Sequence, residues 1–163
     1  MKHAMQRWSL IPAVFLATAV LTTVGLVCQA ADPIVGTWKE NVARSTYDPG
    51  PKVKSRIYTL EPYEGVYKMT QDWVTADGQS HHSEDIVRLD GKEYPVQEAQ
   101  PPTTQAYKRI DDRSYERFTR VNGKLTEWVV VVISRDGKTQ TATQTGTNTQ
   151  GRPIDIVMFY DRE

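Results

Sequence analysis

Over residues 31–163 apolar and polar side chains alternate with a period of two, and no stretch sets apolar residues at the three-and-four spacing of a helix. The alternating runs are broken by turn dipeptides at Asp77-Gly78, Asp90-Gly91, Asn122-Gly123 and Asp136-Gly137. Asx-Gly pairs suit hairpins because such turns need positive φ, which glycine adopts freely and Asn or Asp tolerate. Further breaks fall at Pro49-Gly50-Pro51, Pro62 to Gly65, Pro101-Pro102, Asp111-Asp112 and Gln150-Gly151. Between them the pattern predicts strands at 34–41, 54–61, 66–75, 79–89, 92–97, 104–110, 114–121, 125–134, 138–148 and 153–161.

Consecutive strands joined by tight hairpins lie side by side, and such a meander leaves two unpaired edges unless the sheet closes on itself. The expected fold is therefore all-β, an antiparallel up-and-down β-barrel of 8 to 10 strands over 31–163. A two-sheet β-sandwich is the alternative, although sandwiches use longer Greek-key connections than this chain offers. A membrane-spanning barrel would need an apolar outer band, and Arg88, Lys108, Arg117 and Arg120 interrupt both faces of the middle strands.

Residues 1–30 follow a different pattern. Lys2 and Arg7 precede a run from Trp8 to Ala31 with no charged side chain, and Cys28 and Ala30 sit three and one residues before a cut after Ala30. That is the layout of a secretory signal peptide, so the expectation is export to the periplasm or the extracellular space, with no membrane span after cleavage. The charge-free run is also long enough to cross a bilayer, which leaves a retained anchor as the alternative.

The whole chain of 163 residues carries 20 basic and 20 acidic side chains, and removing residues 1–30 leaves 18 against 20. Neither balance supplies the basic stripe that holds a phosphate backbone, so nucleic acid is not an expected partner. The same cut removes Cys28, the only cysteine, and with it any disulfide, thiolate zinc site or cysteine nucleophile.

The first strand reads Ile34-Val35-Gly36-Thr37-Trp38-Lys39 and the last Ile156-Val157-Met158-Phe159-Tyr160-Asp161. The opening resembles the Gly-x-Trp start of the lipocalin and fatty-acid-binding (calycin) superfamily. That resemblance implies a barrel in which the glycine permits close backbone approach and the tryptophan plugs the closed end. Two departures limit it. Fatty-acid-binding proteins carry two lid helices after the first strand, where Val42 to Val53 here hold Pro-Gly-Pro and no helical pattern. Their last strand carries an Arg-x-Tyr pair for the carboxylate, and if Tyr160 matches the tyrosine, Met158 stands where the arginine should be. The chain also resembles small exported bacterial proteins with a Gly-Thr-Trp-Lys opening, a Tyr-Asp-Pro-Gly-Pro loop (Tyr47 to Pro51) and an Asp-Gly-Lys-Thr hairpin (Asp136 to Thr139).

Trp38, Tyr58, Tyr67, Trp73 and Tyr160, with Arg56 as a polar anchor, are the candidate ligand-binding residues, because aromatic walls with few polar groups make small-molecule pockets. The same side chains equally suit a filled barrel interior. His81 and His82 are adjacent on a strand and point to opposite faces, so they do not chelate one ion together. No Gly-x-Ser-x-Gly, His-Glu-x-x-His or phosphate loop occurs, and no cofactor, metal or catalytic residue is expected. The function expected is non-catalytic binding of a small apolar or amphipathic ligand inside the barrel.

Two outer features remain. Residues 139, 141, 143, 145, 147 and 149 are all threonine, and whether that stripe faces in or out depends on the length of the Asp136-Gly137 turn. Trp128 to Ile133 is apolar on both faces although a barrel wall needs one. The surplus face, Trp128, Val130 and Val132 or else Val129, Val131 and Ile133, is either covered by the Val42 to Val53 connection or free for a homodimer or partner strand. An interaction or self-association module is thus the alternative function.

Overall fold

The computed structural model describes residues 31–148 and 150–163; the expected signal peptide and anchor at 1–30, and Thr149, lie outside the described residues. The strands are β1 (Gly36–Glu40), β2 (Thr46–Asp48), β3 (Ser55–Tyr63), β4 (Val66–Val74), β5 (Ser80–Val87), β6 (Asp90–Pro95), β7 (Thr103–Asp111), β8 (Ser114–Val121), β9 (Lys124–Ile133), β10 (Thr139–Thr147) and β11 (Pro153–Arg162). Ten of them answer the ten alternating runs. The eleventh, β2, is three residues ahead of Pro49 and has no alternation to reveal it; its pairing with β11, Tyr47 opposite Ile156, creates it.

All strands belong to one antiparallel sheet in the order β5-β4-β3-β1-β11-β10-β9-β8-β7-β6, which removes the sandwich alternative. The first and last strands pair, Trp38 opposite Arg162, and this ladder curls the sheet into a barrel. The hairpin signals were right at Asn122-Gly123, where both residues have positive φ (49° and 76°) and Val121 faces Lys124 across a two-residue turn. They misled at Asp90-Gly91. These residues belong to β6 itself, at a bulge where the register with β7 shifts between Asp90 and Glu93, and β5 and β6 do not pair. The reason is local: Asp90 Oδ1 accepts the Lys92 backbone N–H at 3.0 Å and Oδ2 accepts the Tyr94 hydroxyl at 2.9 Å, which bends the strand instead of reversing it. The barrel therefore has one seam without backbone ladder bonds, between β5 and β6.

The turn Ser134 to Thr139 spans four residues, with Ile133 paired to Gln140, and this register puts Gln140 and Ala142 inside and the described threonines outside. On β9 the inner set is Val129, Val131 and Ile133, all buried, whereas Trp128 and Val132 stay 43% and 50% exposed.

One end of the interior is dry and tightly filled by Ile34, Trp38, Leu60, Val87 and Ile133. Arg162 seals it. Its guanidinium lies 4.2 Å from the Trp38 ring centroid, and Nε, Nη1 and Nη2 donate at 2.6 Å each to the carbonyls of Gly137, Val35 and Pro33. Gly36 (φ 141°) makes this possible, because a Cβ there would lie 2.3 Å from Arg162 Nη1. A second latch joins the start of the described chain to the opposite wall: Asp32 accepts the Tyr67 hydroxyl at 2.6 Å and pairs with Arg109 at 2.5 Å, contacts that hold its carboxyl below the usual range against the opposing effect of burial.

Replacing Arg162 removes three charge-assisted bonds and a cation–π contact. Arg162→Ala is expected to lower stability by about 3 kcal/mol or more, and Arg162→Lys to recover only part of it, as read by urea unfolding. Gly36→Ala is expected to reproduce much of the loss by displacing the same guanidinium.

Candidate functional site

Beyond the dry end, the inward positions change character. Arg56 and Tyr58 on β3, Gln71 on β4, Tyr107 on β7, Tyr115 and Arg117 on β8, Glu127 on β9, Gln140 and Gln144 on β10, and Met158 and Tyr160 on β11 surround a cavity of about 260 Å³, with Met69, Val129, Val131 and Ala142 as its apolar wall. Strand parity produces this. Each of these residues is itself in the core or lies on the same face as a core residue two or four positions away, as Arg56 does to Tyr58 and Leu60.

Two guanidinium groups dominate the polar half. Arg117 pairs with Glu127, whose carboxylate also accepts Gln144 Nε2 at 2.6 Å. Burial works against the Arg117 charge, but the oxygens of Tyr107 and Glu127 outweigh it and hold the group above its ordinary pKa. Arg56 lies 3.8 Å from the Glu40 carboxylate, which is fully buried and accepts the Tyr47 hydroxyl at 2.8 Å. Arg56 Nη1 is 2.9 Å from Met158 Sδ. An arginine therefore stands against Met158 after all, supplied by β3 rather than by β11. The Nε atoms of Arg56 and Arg117 are buried and have no hydrogen-bond partner among the described residues. A buried donor without an acceptor costs about 1–3 kcal/mol, so the cavity is built with hydrogen bonds to give.

The four tyrosines pack as two pairs, Tyr58 with Tyr160 edge to face at 5.4 Å and Tyr107 with Tyr115 tilted at 6.5 Å. Tyr58 donates to Gln140 Oε1 at 2.6 Å. Burial pushes all four hydroxyls above the usual tyrosine range, so they remain protonated donors. Asp85, on the β5 side facing Arg117, is raised by burial more than Arg117 lowers it.

Of the six residues singled out in the sequence, Arg56, Tyr58 and Tyr160 border the cavity. Trp38 does not: it is fully buried in the base, where its Nε1 donates to the Ile34 carbonyl at 3.2 Å. Tyr67 does not, because its hydroxyl is held by Asp32 and Arg109. Trp73 shares the inward parity but lies farther along β4, stacked on His81 at 5.0 Å. His82 turns the other way, to Asp72 at 2.8 Å. The sequence reading missed Tyr107, Tyr115 and Arg117. A usable signal existed: Tyr107 and Arg117 are directly paired across the hairpin at Asp111-Asp112, so one parity assignment brings in both.

No family model matches the chain, and no curated protein sequence does. Among solved structures, the chain is similar to zebrafish ileal bile acid-binding protein complexed with cholic acid, at 12% identity and a TM-score of 0.50, over 80% of this chain and 99% of that one. The likeness bears on the fold alone, an antiparallel β-barrel like that of the zebrafish protein.

Two consequences follow for stability. Arg117→Met strands the Glu127 carboxylate and is expected to cost about 2–3 kcal/mol, with Arg117→Met/Glu127→Gln recovering part of the loss. Asp85 has a folded pKa above its unfolded one, so its contribution to stability is full below the ordinary aspartate pKa and is lost as pH rises through the raised value. Asp85→Asn is therefore expected to stabilise the protein at neutral pH and to lose that advantage in acid, as read by urea unfolding at both.

Proposed function

We propose that this is an exported, non-catalytic protein that binds a small amphipathic molecule inside the barrel. Its polar end accepts hydrogen bonds from Arg56 and Arg117, and its apolar part lies against Met69, Val129 and Val131. The observation that carries this reading is the pair of buried Nε donors without acceptors, both lining the same cavity. At about 260 Å³ the cavity is slightly below the range of about 300–1,000 Å³ usual for drug-sized ligands, which favours a compact head group. The zebrafish protein of similar fold is complexed with cholic acid, a small amphipathic molecule, which supports a small-ligand role. Export is supported by the basic, apolar and small-residue order of residues 1–30.

A second reading, self-association, rests on the outer face of β9. Trp128 stacks on Phe118 at 6.0 Å and, with Val132, remains exposed. The connection from Val42 to Val53 follows β11 instead, where Arg44 sits 4.5 Å over Phe159, and so leaves this ridge uncovered. Val132→Lys is expected to reduce the solution mass of a homodimer; a wild-type monomer at high concentration excludes the dimer.

The ligand reading is tested by native mass spectrometry of protein from its source and by titration with anilinonaphthalene sulfonate. The expected outcome is a bound mass, and probe affinity that falls about tenfold in Arg56→Met and in Arg117→Met, equivalent to about 1.4 kcal/mol each. Leu125→Lys on the outside is expected to change nothing. An apo mass together with a probe that the protein does not affect refutes it.

A further inference from the structure

We infer that the polar part of the ligand is an uncharged group with hydrogen-bond acceptors on two opposite sides, of which a flat aromatic diketone is the simplest kind, and that the cavity discriminates against carboxylates. The inference rests on the ligand reading above and adds the chemical class of the ligand. In the sheet order β3 and β8 stand five strands apart in a ring of ten, so Arg56 and Arg117 enter the cavity from opposite walls. Each already has a carboxylate from the strand beside its own: Glu40 of β1 lies 3.8 Å from Arg56, and Glu127 of β9 pairs with Arg117. The charged side chains bordering the cavity are Arg56, Arg117 and Glu127, and with Glu40 beside Arg56 positive and negative charges are equal. The remaining polar lining, Gln71, Gln140, Gln144 and the four protonated tyrosines, is uncharged. Asp85 does not border the cavity, and any charge it keeps adds to the negative side. A carboxylate entering this balanced site brings an unneutralised charge into the barrel, whereas a carbonyl brings none.

What the two arginines lack is an acceptor, not a counter-charge. Both Nε donors are buried without one among the described residues, and a neutral carbonyl oxygen fills that role. Because the guanidinium groups stand on opposite walls, a single acceptor atom does not serve both, and the ligand needs two with a spacer between them. The lining favours an aromatic spacer. Tyr58, Tyr107, Tyr115 and Tyr160 supply ring faces and edges, and Met69 and Met158 supply thioethers, all of which pack well against a flat ring. The volume of about 260 Å³ suits one such ring with short arms rather than a long chain. Extension toward the base is shut, because it would displace Leu60 and Trp38 beneath the Arg162 seal.

The test titrates the full chain by calorimetry with para-diethylbenzene, para-ethylacetophenone, para-diacetylbenzene and para-acetylbenzoate. These share one shape and carry no acceptor, one, two, and one beside a carboxylate. In the wild type, affinity is expected to rise about tenfold with each acetyl group, and para-acetylbenzoate to bind about tenfold more weakly than para-diacetylbenzene. Arg56→Met/Glu40→Gln and Arg117→Met/Glu127→Gln each remove one donor without stranding a carboxylate. Each is expected to bring para-diacetylbenzene down to the affinity of para-ethylacetophenone. Glu127→Gln alone leaves Arg117 unneutralised. It is expected to tighten para-acetylbenzoate about tenfold and to leave para-diacetylbenzene within roughly threefold, a reversal of preference that loss of structure does not produce. If para-acetylbenzoate binds the wild type as well as para-diacetylbenzene does, or if the second acetyl group adds nothing, the neutral two-sided ligand is overturned and the interior site stands. If none of the four binds but anilinonaphthalene sulfonate does, the outcome is the same; if the sulfonate also fails, both fall. Should a variant fail to fold, the wild-type ranking of the four compounds decides alone.

Discussion

The Arg162 guanidinium is the group on which the rest of the molecule depends. A barrel needs its first and last strands joined, and the register Trp38 opposite Arg162 does that while bringing a cation over the indole face. The three carbonyls it satisfies belong to the segment entering β1 and to the turn before β10, so one side chain ties both chain ends of the sheet to the base. Among the described residues no carboxylate forms a salt bridge with it. Its charge is met by carbonyl dipoles and a π face, which requires close approach and hence a residue without a Cβ at Gly36.

Closing one end so firmly frees the other end from the work of stability. The base holds the large apolar side chains with almost no exposed surface, and the interior beyond it carries arginines, glutamines and tyrosines. Placing guanidinium groups there is costly, since desolvation opposes each charge, and the oxygens of the neighbouring tyrosines together with Glu40 and Glu127 outweigh that cost. Each guanidinium nevertheless keeps a buried Nε donor without an acceptor among the described residues. An interior selected for stability alone would be apolar throughout, as its lower half is.

The seam gives the same contrast in the backbone. Asp90 takes its neighbours' N–H and hydroxyl into a local bulge, and the strand that would have completed the ladder with β5 turns aside. The unpaired edges of β5 and β6 are short and rich in charged and polar side chains, Glu84, Asp85, Lys92 and Glu93 among them, which protects them from pairing with other chains.

The alternation of side chains and the turn residues were enough to place ten strands and to make them antiparallel, because these are local properties of the chain: period, positive φ and β-propensity; that Gly36 and Trp38 mark the closing end was implied only by the resemblance of the opening to the Gly-x-Trp start of calycin barrels. The inward set on β9, Val129, Val131 and Ile133, was legible only as one of two possibilities, since a strand apolar on both faces does not declare its core side; the four-residue turn at Asp136-Gly137 decided it together with the threonine face. Trp73 and Tyr67 show the limit of parity reasoning. Both point inward, but height along the barrel, set by shear between strands, carries one past the cavity and the other to the Asp32 latch. That Asp90-Gly91 opens a seam, that β2 exists, and that Arg56 of β3 stands beside Met158 of β11 were matters of tertiary structure alone, because each depends on a partner far away in sequence, and a single strand carries no record of which side chain it will meet across a barrel.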